Sequence, residues 1–332
     1  MKMVCTKKNL NTGLVIASRV IGSGNTLPIL NNILFKTDEG RLKLSSTNLE
    51  MAINTWVGGK IEEEGEITVP ARLVNDYVNN LIADKITISS KNQTLFLEAE
   101  KANTHIKGLS PEEFPLIPQV KEGGFAKIEG KNLVLAATDR YRLAERKVEL
   151  ASEVATPRQI IVPARTVNEL ARILGDGLAD IYLTDGQICF KTMDTELVSR
   201  LIEGQYPDYK QIIPKNFSTE AEVEKDQLIQ SLKGASLFAS ENNNIELDLN
   251  PQNKQIMIKS QSAQVGDSEI RLDAKFNGQK NSIIFNYRYL LECLNNLTDE
   301  KVVLKIINSS SPAAIAPVGR ENYLYIVMPI KI

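Results

Sequence analysis

Three arginines stand at equivalent places in three similar segments, and an arginine guanidinium is well suited to binding phosphate. The segments read VPARLVNDYVNNL at 69–81, VPARTVNELARIL at 162–174 and, more weakly, FNYRYLLECLNNL at 285–297. Counted from Arg72, Arg165 and Arg288, apolar residues recur at the same four offsets. This i, i+3, i+4, i+7 spacing is typical of an amphipathic helix. The sequence therefore predicts three similar helices, each with an arginine on its polar face.

The apolar stripes of these helices are predicted to be buried and their polar faces to look the same way. The stripes consist of Val74, Tyr77, Val78 and Leu81, of Val167, Leu170, Ala171 and Leu174, and of Leu290, Cys293, Leu294 and Leu297. The polar faces add Asn75 and Asn79, Asn168 and Arg172, and Asn295. For any single helix a solvated face is the simpler interpretation. Three copies with one polarity instead favour a shared basic surface.

A front helix is predicted ahead of the first and third of these segments. KKNLNTGLVIASRVIG at 7–22 and KDQLIQSLKGASLFAS at 225–240 share one apolar spacing, Leu10, Leu14, Ala17 and Ile21 against Leu228, Leu232, Ala235 and Ala239. Lys8, Thr12 and Arg19 lie opposite the first stripe. Leu237 is apolar on a polar side, with Phe238 beside it, which indicates a contact surface.

Two strand-like runs and a proline follow each arginine-bearing helix, so we interpret the chain as three copies of one module. The predicted boundaries are 1–118, 119–214 and 215–332. The repeat spacing indicates that about 26 residues are absent between Pro118 and Thr138. The middle module therefore has no front helix, through a deletion in the gene or because this sequence omits a stretch of the natural chain.

Helices that alternate with runs rich in Ile, Val, Leu and Thr predict an α+β fold, with antiparallel sheets on one side and helices on the other. Three modules in line form an arc, and two arcs joined head to tail can close into a ring. With the helices inside, such a ring would carry a set of basic side chains towards its hole: Lys8, Arg19, Arg72, Arg165, Arg172 and Arg288.

Composition and motifs argue against catalysis, a metal site and a membrane span. The net charge is −2, and no apolar run approaches the roughly 20 residues of a transmembrane helix. Three separated cysteines without a CxxC pair favour a reducing compartment, the cytoplasm, with no metal or cofactor. His105 is the single histidine, GSGN at 22–25 does not continue into a phosphate loop, and IEEEGEI at 61–67 lacks metal-ligand spacing. Thr47-Asn48 and Thr138-Asp139 are typical of turns.

Several segments, taken together and in order, resemble the bacterial DNA polymerase III beta subunit, the sliding-clamp family. They are TLPILNNILF at 26–35, VPAR twice, ATDRYRLAE at 137–145, YPDYKQIIP at 206–214 and IVMPIKI at 326–332. The resemblance implies a homodimeric ring of six modules that encircles duplex DNA independently of its sequence and tethers the replicative polymerase. It also implies a clamp loader, other partners with clamp-binding peptides, and no catalytic activity.

The resemblance implies that basic and amide side chains of the inner helices contact the DNA: Lys8, Arg19, Arg72, Asn79, Arg165, Arg172 and Arg288. It further assigns two other sets of residues. Partner peptides with apolar ends are expected to bind Thr138, Arg142, Leu143, Pro207, Ile212, Ile326, Met328, Pro329 and Ile330. The dimer contact is expected to join Ile106 and Lys107 of the first module to Leu237, Phe238, Asp267 and Glu269 of the third. Two places depart from the family pattern: Gln211 replaces a frequent arginine, and Gly24-Asn25-Thr26 stands where a basic residue is common.

Two alternatives remain open at this level. Met328 and Ile330 either form part of a pocket or merely complete a last strand. The chain as a whole is either a working processivity clamp or a degenerate, peptide-binding scaffold whose short middle module prevents it from encircling DNA.

Overall fold

Antiparallel sheets with short helices build the chain, which confirms the predicted α+β class. The computed structural model describes residues 1–22, 27–115, 117, 128–175 and 177–331. The chain divides into two units, Met1–Ala126 with Thr156–Gln205 and Lys127–Ala155 with Tyr206–Ile332. The predicted middle module, 119–214, is thus shared between the units, and the division into three modules stays a prediction.

Five α-helices occur in the described residues, and prolines mark two of their starts. The helices are α1 Lys7–Ala17, α2 Ala71–Asn80, α3 Ala164–Leu174, α4 Lys225–Ser236 and α5 Tyr287–Asn295. Pro70 and Pro163 directly precede α2 and α3. A fixed φ angle suits proline to a helix start, where its missing N–H has no cost. Short 3-10 helices span Ser18–Val20, Pro28–Asn31, Pro111–Glu113 and Tyr209–Ile212.

The strands follow the runs of Ile, Val, Leu and Thr. In the first half of the chain they are β1 Lys2–Thr6, β2 Asn32–Asp38, β3 Arg41–Thr47, β4 Met51–Val57, β5 Lys60–Glu63, β6 Glu66–Pro70, β7 Lys85–Lys91, β8 Thr94–Ala99, β9 Ala102–Lys107, β10 Ile128–Thr138 and β11 Arg142–Arg158. They continue with β12 Asp180–Leu183, β13 Gln187–Lys191, β14 Thr195–Arg200, β15 Thr219–Glu224, β16 Asn244–Asn250, β17 Gln255–Ser262, β18 Gly266–Asp273, β19 Lys275–Gly278, β20 Asn281–Asn286, β21 Lys301–Ile306, β22 Ala313–Pro317 and β23 Tyr323–Val327.

Each unit contains two sheets. The first unit has the orders β5-β1-β7-β8-β9 and β12-β13-β14-β4-β3-β2-β6. The second has β10-β11-β23-β22-β21-β15-β19 and β18-β17-β16-β20. Strand β9 pairs antiparallel with β8 alone among its sheet neighbours, and β18 likewise pairs with β17. Both are therefore edge strands, whose outer backbone groups have no partner in their own sheet.

The helices pair as the apolar stripes predict in the first and third modules. In the first unit α1 packs against α2, and Leu10, Leu14, Val74 and Val78 are all fully buried. In the second unit α4 packs against α5 through an equivalent set of buried residues, among them Leu228, Leu232, Leu290 and Leu294. The predicted stripes of α1, α2, α4 and α5 are confirmed.

The predicted stripe of α3 is wrong. Val167 is 48% exposed and Ala171 is also exposed, whereas Thr166 and Glu169 are buried. Leu170 faces inward with Ile173 and packs on the core of the first unit. α2 and α5 bury the equivalent stripe against α1 and α4, whereas α3 turns Thr166 and Glu169 inward instead.

The absence of a front helix from the middle module is tested only in part. From residue 128 the chain forms β10, so no helix occupies Ile128–Thr138. Residues 118–127, which carry most of the predicted helix-free segment, lie outside the described residues. The same holds for Ser23 to Thr26, and therefore for the GSGN motif and the departure at Gly24-Asn25-Thr26.

The sequence predicts neither a membrane span nor a metal site. Within the described ranges no helix combines the length and apolarity that crossing a bilayer requires. Among the same residues no group of three or more His, Cys, Asp or Glu side chains is placed to hold a metal ion.

The three thiols are buried, and we expect them to be unreactive until the protein unfolds. Burial raises the pKa of Cys5 and Cys189 to about 11 each and that of Cys293 to about 12. A thiol with a pKa near 11 is only about 0.1% thiolate at pH 8, and the thiolate is the reactive form. Titration with Ellman's reagent should count almost no thiols in native protein and three in guanidinium. A rapid native reaction would show that a buried segment opens readily.

Candidate functional site

A tight hairpin between β10 and β11 positions the central residues of the candidate site. The Thr138 hydroxyl donates to the Arg142 carbonyl at 2.7 Å, and Asp139 Oδ1 accepts from the backbone N–H groups of Tyr141 and Arg142. Arg140 has a φ of 78°, a left-handed conformation that is uncommon outside glycine. The Thr138-Asp139 turn prediction is confirmed.

The first module contains the same hairpin, which supports the repeat. Thr47 Oγ1 donates to the Met51 carbonyl at 3.0 Å, and Asn48 Oδ1 accepts from the N–H of Glu50 and of Met51. Leu49, at the place of Arg140, has a φ of 75°. Side-chain caps of this kind replace backbone hydrogen bonds and fix a turn locally.

Arg142 connects the hairpin to α5. Its Nε donates to Asp139 Oδ2 at 2.9 Å and its Nη1 to Glu292 Oε2 at 2.5 Å. Its guanidinium lies over the ring of Tyr289, 4.5 Å from the centroid. The fork geometry of arginine lets one side chain satisfy all three neighbours.

The electrostatics of this cluster follow from those contacts. Burial alone would lower the pKa of Arg142, but hydrogen bonds with Glu292, Tyr325 and Asp139 raise the pKa above its ordinary value. Burial would raise the pKa of Asp139, yet hydrogen bonds from Arg142 and from the Tyr141 N–H lower it. Both groups are therefore charged at neutral pH, and the cluster is fixed across the physiological range.

An apolar floor lies beside the hairpin. Leu143 and Ala314 are fully buried, as is Ile326 at 1% exposed, and Tyr209, Ile213 and Phe217 pack against them. Strand pairing places Leu143 opposite Ile326. The Tyr209 hydroxyl donates to Glu145 Oε2 at 2.6 Å, and burial, followed by that hydrogen bond, raises the pKa of Tyr209.

The chain segment after β23 borders this floor. β23 ends at Val327, so Met328 and Ile330 do not complete the last strand. The Met328 N–H donates to the Tyr141 carbonyl at 2.8 Å, while its side chain is 37% exposed. The Ile330 N–H donates to the Ile284 carbonyl at 2.8 Å, which anchors the segment beyond Pro329. An exposed methionine next to a buried apolar floor is typical of an adaptable binding surface.

The structure thus brings several of the predicted peptide-binding residues into one network. Thr138, Arg142, Leu143, Ile326 and Met328 are joined by hydrogen bonds or strand pairing within the second unit. The hydroxyl of Thr138 is committed to the turn, which leaves its methyl group for contacts. Two further members, Pro207 and Ile212, lie on the exposed segment around the Tyr209–Ile212 3-10 helix.

Sequence reasoning missed two aromatic residues of this region. Tyr141 is 61% exposed and stacks on Tyr289 with ring centroids 6.5 Å apart. Tyr289 stands next to Arg288 on α5, so the available signal was an aromatic residue outside the apolar stripe of its helix.

The predicted DNA-binding residues divide into exposed side chains and side chains that other groups of the protein hold. Lys8, Asn79 and Arg288 are exposed. Arg72 is 97% exposed, with Nε 3.8 Å from Asp76 Oδ2. These four side chains have the solvent access that the prediction requires.

The remaining three arginines are held by other groups of the first unit. Arg19 lies in the Ser18–Val20 3-10 helix, not on the polar face of α1 as predicted, and its side chain is only 28% exposed. Its Nη1 is 3.7 Å from Glu169 Oε2, while Arg172 Nη1 is 3.0 Å from Glu169 Oε1. Arg165 Nη2 donates to the Val20 carbonyl at 3.1 Å. The buried Glu169 thus offsets part of the local positive charge.

The predicted dimer residues are mostly accessible, with one correction. Ile106 is 3% exposed and belongs to the core of the first unit, where it pairs with Leu95 on β8. Lys107 is exposed and its Nζ donates to Thr94 Oγ1 at 3.2 Å. Leu237 is 73% exposed and Phe238 is half-buried, directly after α4.

The two acidic residues of that set share an edge strand. Asp267 and Glu269 lie on β18, two residues apart, and both are exposed. Every second residue of a strand points to the same face of its sheet, so these two carboxylates share one face. The lysine on β9 and the carboxylates on β18 therefore lie on two separate sheet edges with opposite charge.

Comparison with known proteins gives a consistent assignment. Family models match three consecutive parts of the chain: the N-terminal, central and C-terminal domains of the DNA polymerase III beta subunit, at residues 1–118, 120–208 and 210–331. The chain is 31% identical to a beta sliding clamp of Synechococcus elongatus over the whole of both chains. A Staphylococcus aureus beta sliding clamp is 25% identical, with 94% of each chain covered.

Solved structures show the same fold. A DNA polymerase sliding clamp from Bacillus subtilis superposes with a TM-score of 0.93, 25% identity, and 100% and 99% of the two chains covered. A sliding clamp from Pseudomonas aeruginosa, bound to griselimycin, superposes with a TM-score of 0.91 and 24% identity over all of both chains.

Proposed function

Because this chain belongs to the DNA polymerase III beta subunit family, we propose that it is a DNA sliding clamp, a ring that encircles duplex DNA. The observation that carries the proposal is the match of all three clamp domains in order along one chain. In this role the protein is a non-catalytic subunit of the bacterial replication machinery and works in the cytoplasm.

Binding of duplex DNA in this proposal is electrostatic and independent of sequence. Lys8, Arg72 and Arg288 are exposed, and Asn79 adds an amide. Side chains of this kind contact phosphates, and such contacts carry no base readout. Weak attraction suits a protein that slides, because retention then comes from the closed ring. Arg19, Arg165 and Arg172 contribute less, since Glu169 and the Val20 carbonyl already hold them.

A homodimer would close the ring through the two sheet edges. β9 and β18 each have one unpaired edge, and antiparallel addition of one strand to the other satisfies both. Lys107 on β9 and Asp267 and Glu269 on β18 supply opposite charges for the contact. Such surface ion pairs contribute little affinity and mainly favour one register. Leu237 and Phe238 supply the apolar part, and Ile106 stays in its own core.

Partner peptides would bind at the apolar floor of the second unit. Leu143, Ala314 and Ile326 form its base, and Met328, Tyr141 and Ile212 are exposed apolar groups around it. Apolar walls with a few fixed polar groups are typical of peptide pockets. We infer that the replicative polymerase, the clamp loader and other partners dock here through short segments with apolar ends.

The degenerate scaffold remains a second candidate because one observation favours it. The stripe of α3 is uncovered, and the middle module has no front helix in its described residues. A module weakened in this way could bind peptides without closing a ring.

Retention on DNA distinguishes the two functions. We expect that a bacterial clamp loader with ATP places this protein on a nicked circular plasmid, and that the pair elutes together from a gel-filtration column. Cutting the plasmid should release the protein, since only topology holds it. Retention on neither form, with peptide binding intact, would refute the ring and establish the scaffold.

A further inference from the structure

A buried glutamate of α3 is shared by two arginines. Glu169 is 7% exposed, and it lies in the first unit together with Arg19 and Arg172. Glu169 Oε1 accepts a hydrogen bond from Arg172 Nη1 at 3.0 Å. Glu169 Oε2 lies 3.7 Å from Arg19 Nη1, which is an ion pair but too long for a hydrogen bond. The carboxylate therefore has one close and one more distant cationic partner.

The more distant pair has unused hydrogen-bonding capacity. Within the residues that the structure describes, neither Glu169 Oε2 nor Arg19 Nε has a hydrogen-bond partner, and both atoms are buried from solvent. A buried donor or acceptor without a partner is costly and therefore uncommon in folded proteins. A donor and an acceptor on neighbouring side chains can satisfy each other after a small rotation of either one. Arg19 is thus a second hydrogen-bond partner that stands ready for Glu169.

The two arginines differ in their access to solvent. The side chain of Arg172 is 63% exposed, whereas that of Arg19 is 28% exposed. Arg172 is therefore the better placed of the two to contact a phosphate, but it must first leave Glu169. A buried carboxylate that loses its cationic partner is strongly unfavourable. Arg19 removes this obstacle, because Glu169 stays paired when Arg172 moves away.

We propose that Arg19 and Arg172 exchange on Glu169 when duplex DNA binds. In the free protein Arg172 donates to the carboxylate; in the complex Arg172 turns to a phosphate and Arg19 donates to Glu169 Oε2. Arg19 is then a positioning residue that does not touch DNA, although the sequence predicts it as a contact. This exchange rests on the proposed clamp function, because it requires duplex DNA beside the first unit. Arg172 contributes less to binding than an arginine that is free from the start, but it does contribute.

The salt dependence of DNA binding by the full-length protein tests the exchange. Fluorescence anisotropy of a fluorescein-labelled linear duplex gives the affinity between about 50 and 200 mM NaCl. Each lost phosphate contact should reduce the slope of log affinity against log salt by about 0.9 in magnitude. R172Q should show this loss. R19Q should show the same loss, because Arg172 is then the remaining partner of Glu169 and stays on it.

The double variant distinguishes an exchange from two separate contacts. R19Q/R172Q should lose no more slope than either single variant, because both substitutions remove the same phosphate contact. Two arginines that contact DNA independently would instead give additive losses of about 1.8 in magnitude. R19K keeps a cation beside Glu169 and should retain the wild-type slope, which a loss of the arginine packing alone would not allow.

Matched substitutions of glutamate show whether the effect of Arg19 passes through Glu169. E169Q in the R19Q background frees Arg172 and should restore the wild-type slope. E196Q removes the same charge from the same unit, on β14, where Glu196 pairs with Lys191 at 3.0 Å. It should leave the slope of R19Q unrestored, because Glu196 holds neither arginine.

Several results would overturn the exchange while the wild-type protein still binds the duplex and the proposed function stands. They are additive losses in R19Q/R172Q, restoration of R19Q by E196Q, and an unchanged slope in R172Q. Arg172 is mostly exposed, so the R172Q result is decisive even if R19Q does not fold. A wild-type protein that does not bind the duplex at low salt would contradict the proposed function itself, and the exchange with it.

Discussion

Replacing Leu237 with aspartate is expected to convert the proposed ring dimer into monomers. Leu237 is 73% exposed directly after α4, so most of its apolar surface is free for a contact with another molecule. A carboxylate there would be desolvated in the contact and repelled by the nearby acidic strand β18. A residue at the centre of an interface typically contributes about 2 kcal/mol to the free energy of binding. A dimeric ring has two equivalent interfaces, so the substitution removes this contribution twice. The dimer dissociation constant should therefore rise about 1,000-fold.

Sedimentation equilibrium at micromolar concentration measures this effect. Wild type should sediment at twice the chain mass of 36.9 kDa and L237D at that mass. Met193 is 92% exposed on the turn between β13 and β14, so M193D is a matched control that should stay dimeric. Loss of the dimer should also abolish retention on circular DNA. A wild-type monomer would contradict the ring, whereas a dimeric L237D would remove Leu237 from the interface.

The helices show how far the sequence alone determines this structure. α1, α2, α4 and α5 bury the stripes that their spacing predicts, because each has a helix partner encoded in the same module. α3 keeps the spacing but buries Thr166 and Glu169 instead of Val167 and Ala171. Spacing determines which residues share a face, and tertiary packing determines which face is covered.

The site shows a similar limit. The Thr138 and Thr47 turns follow from local hydrogen bonds, so residue types were sufficient to predict them. Ile106 lies on an edge strand but is turned inward, and strand alternation without a known register cannot give that direction. The stack of Tyr141 on Tyr289 joins residues far apart in the chain. Contacts of this kind depend on how β11, β23 and α5 assemble, and local sequence patterns do not predict that assembly.

Arg142→Ala is expected to weaken both the second unit and its peptide binding. The substitution removes hydrogen bonds to Asp139 and Glu292 and the contact with the Tyr289 ring. The free energy of unfolding should fall by about 2 kcal/mol, because these hydrogen bonds join charged groups that are only partly exposed. Urea unfolding measures this loss. The freed hairpin carries Tyr141 and the carbonyl that holds Met328, so affinity for a labelled peptide with leucine at both ends should fall about tenfold.

Two comparisons make the Arg142 result specific. Arg146 lies on the same strand, with its guanidinium 5.9 Å from the Tyr323 ring. R146A loses this one contact and should lower the free energy of unfolding by about 0.5 kcal/mol.

The pKa of Asp139 is lower in the folded state than in the unfolded state, so its ionised carboxylate stabilises the fold. This contribution to the free energy of unfolding is complete above the unfolded-state pKa near 4 and is lost as the pH falls through the folded-state pKa. The stability gap between wild type and R142A should thus stay constant from about pH 6 to 9 and narrow only below about pH 4. If R142A lost stability but bound the peptide as wild type does, the hairpin would not belong to the pocket.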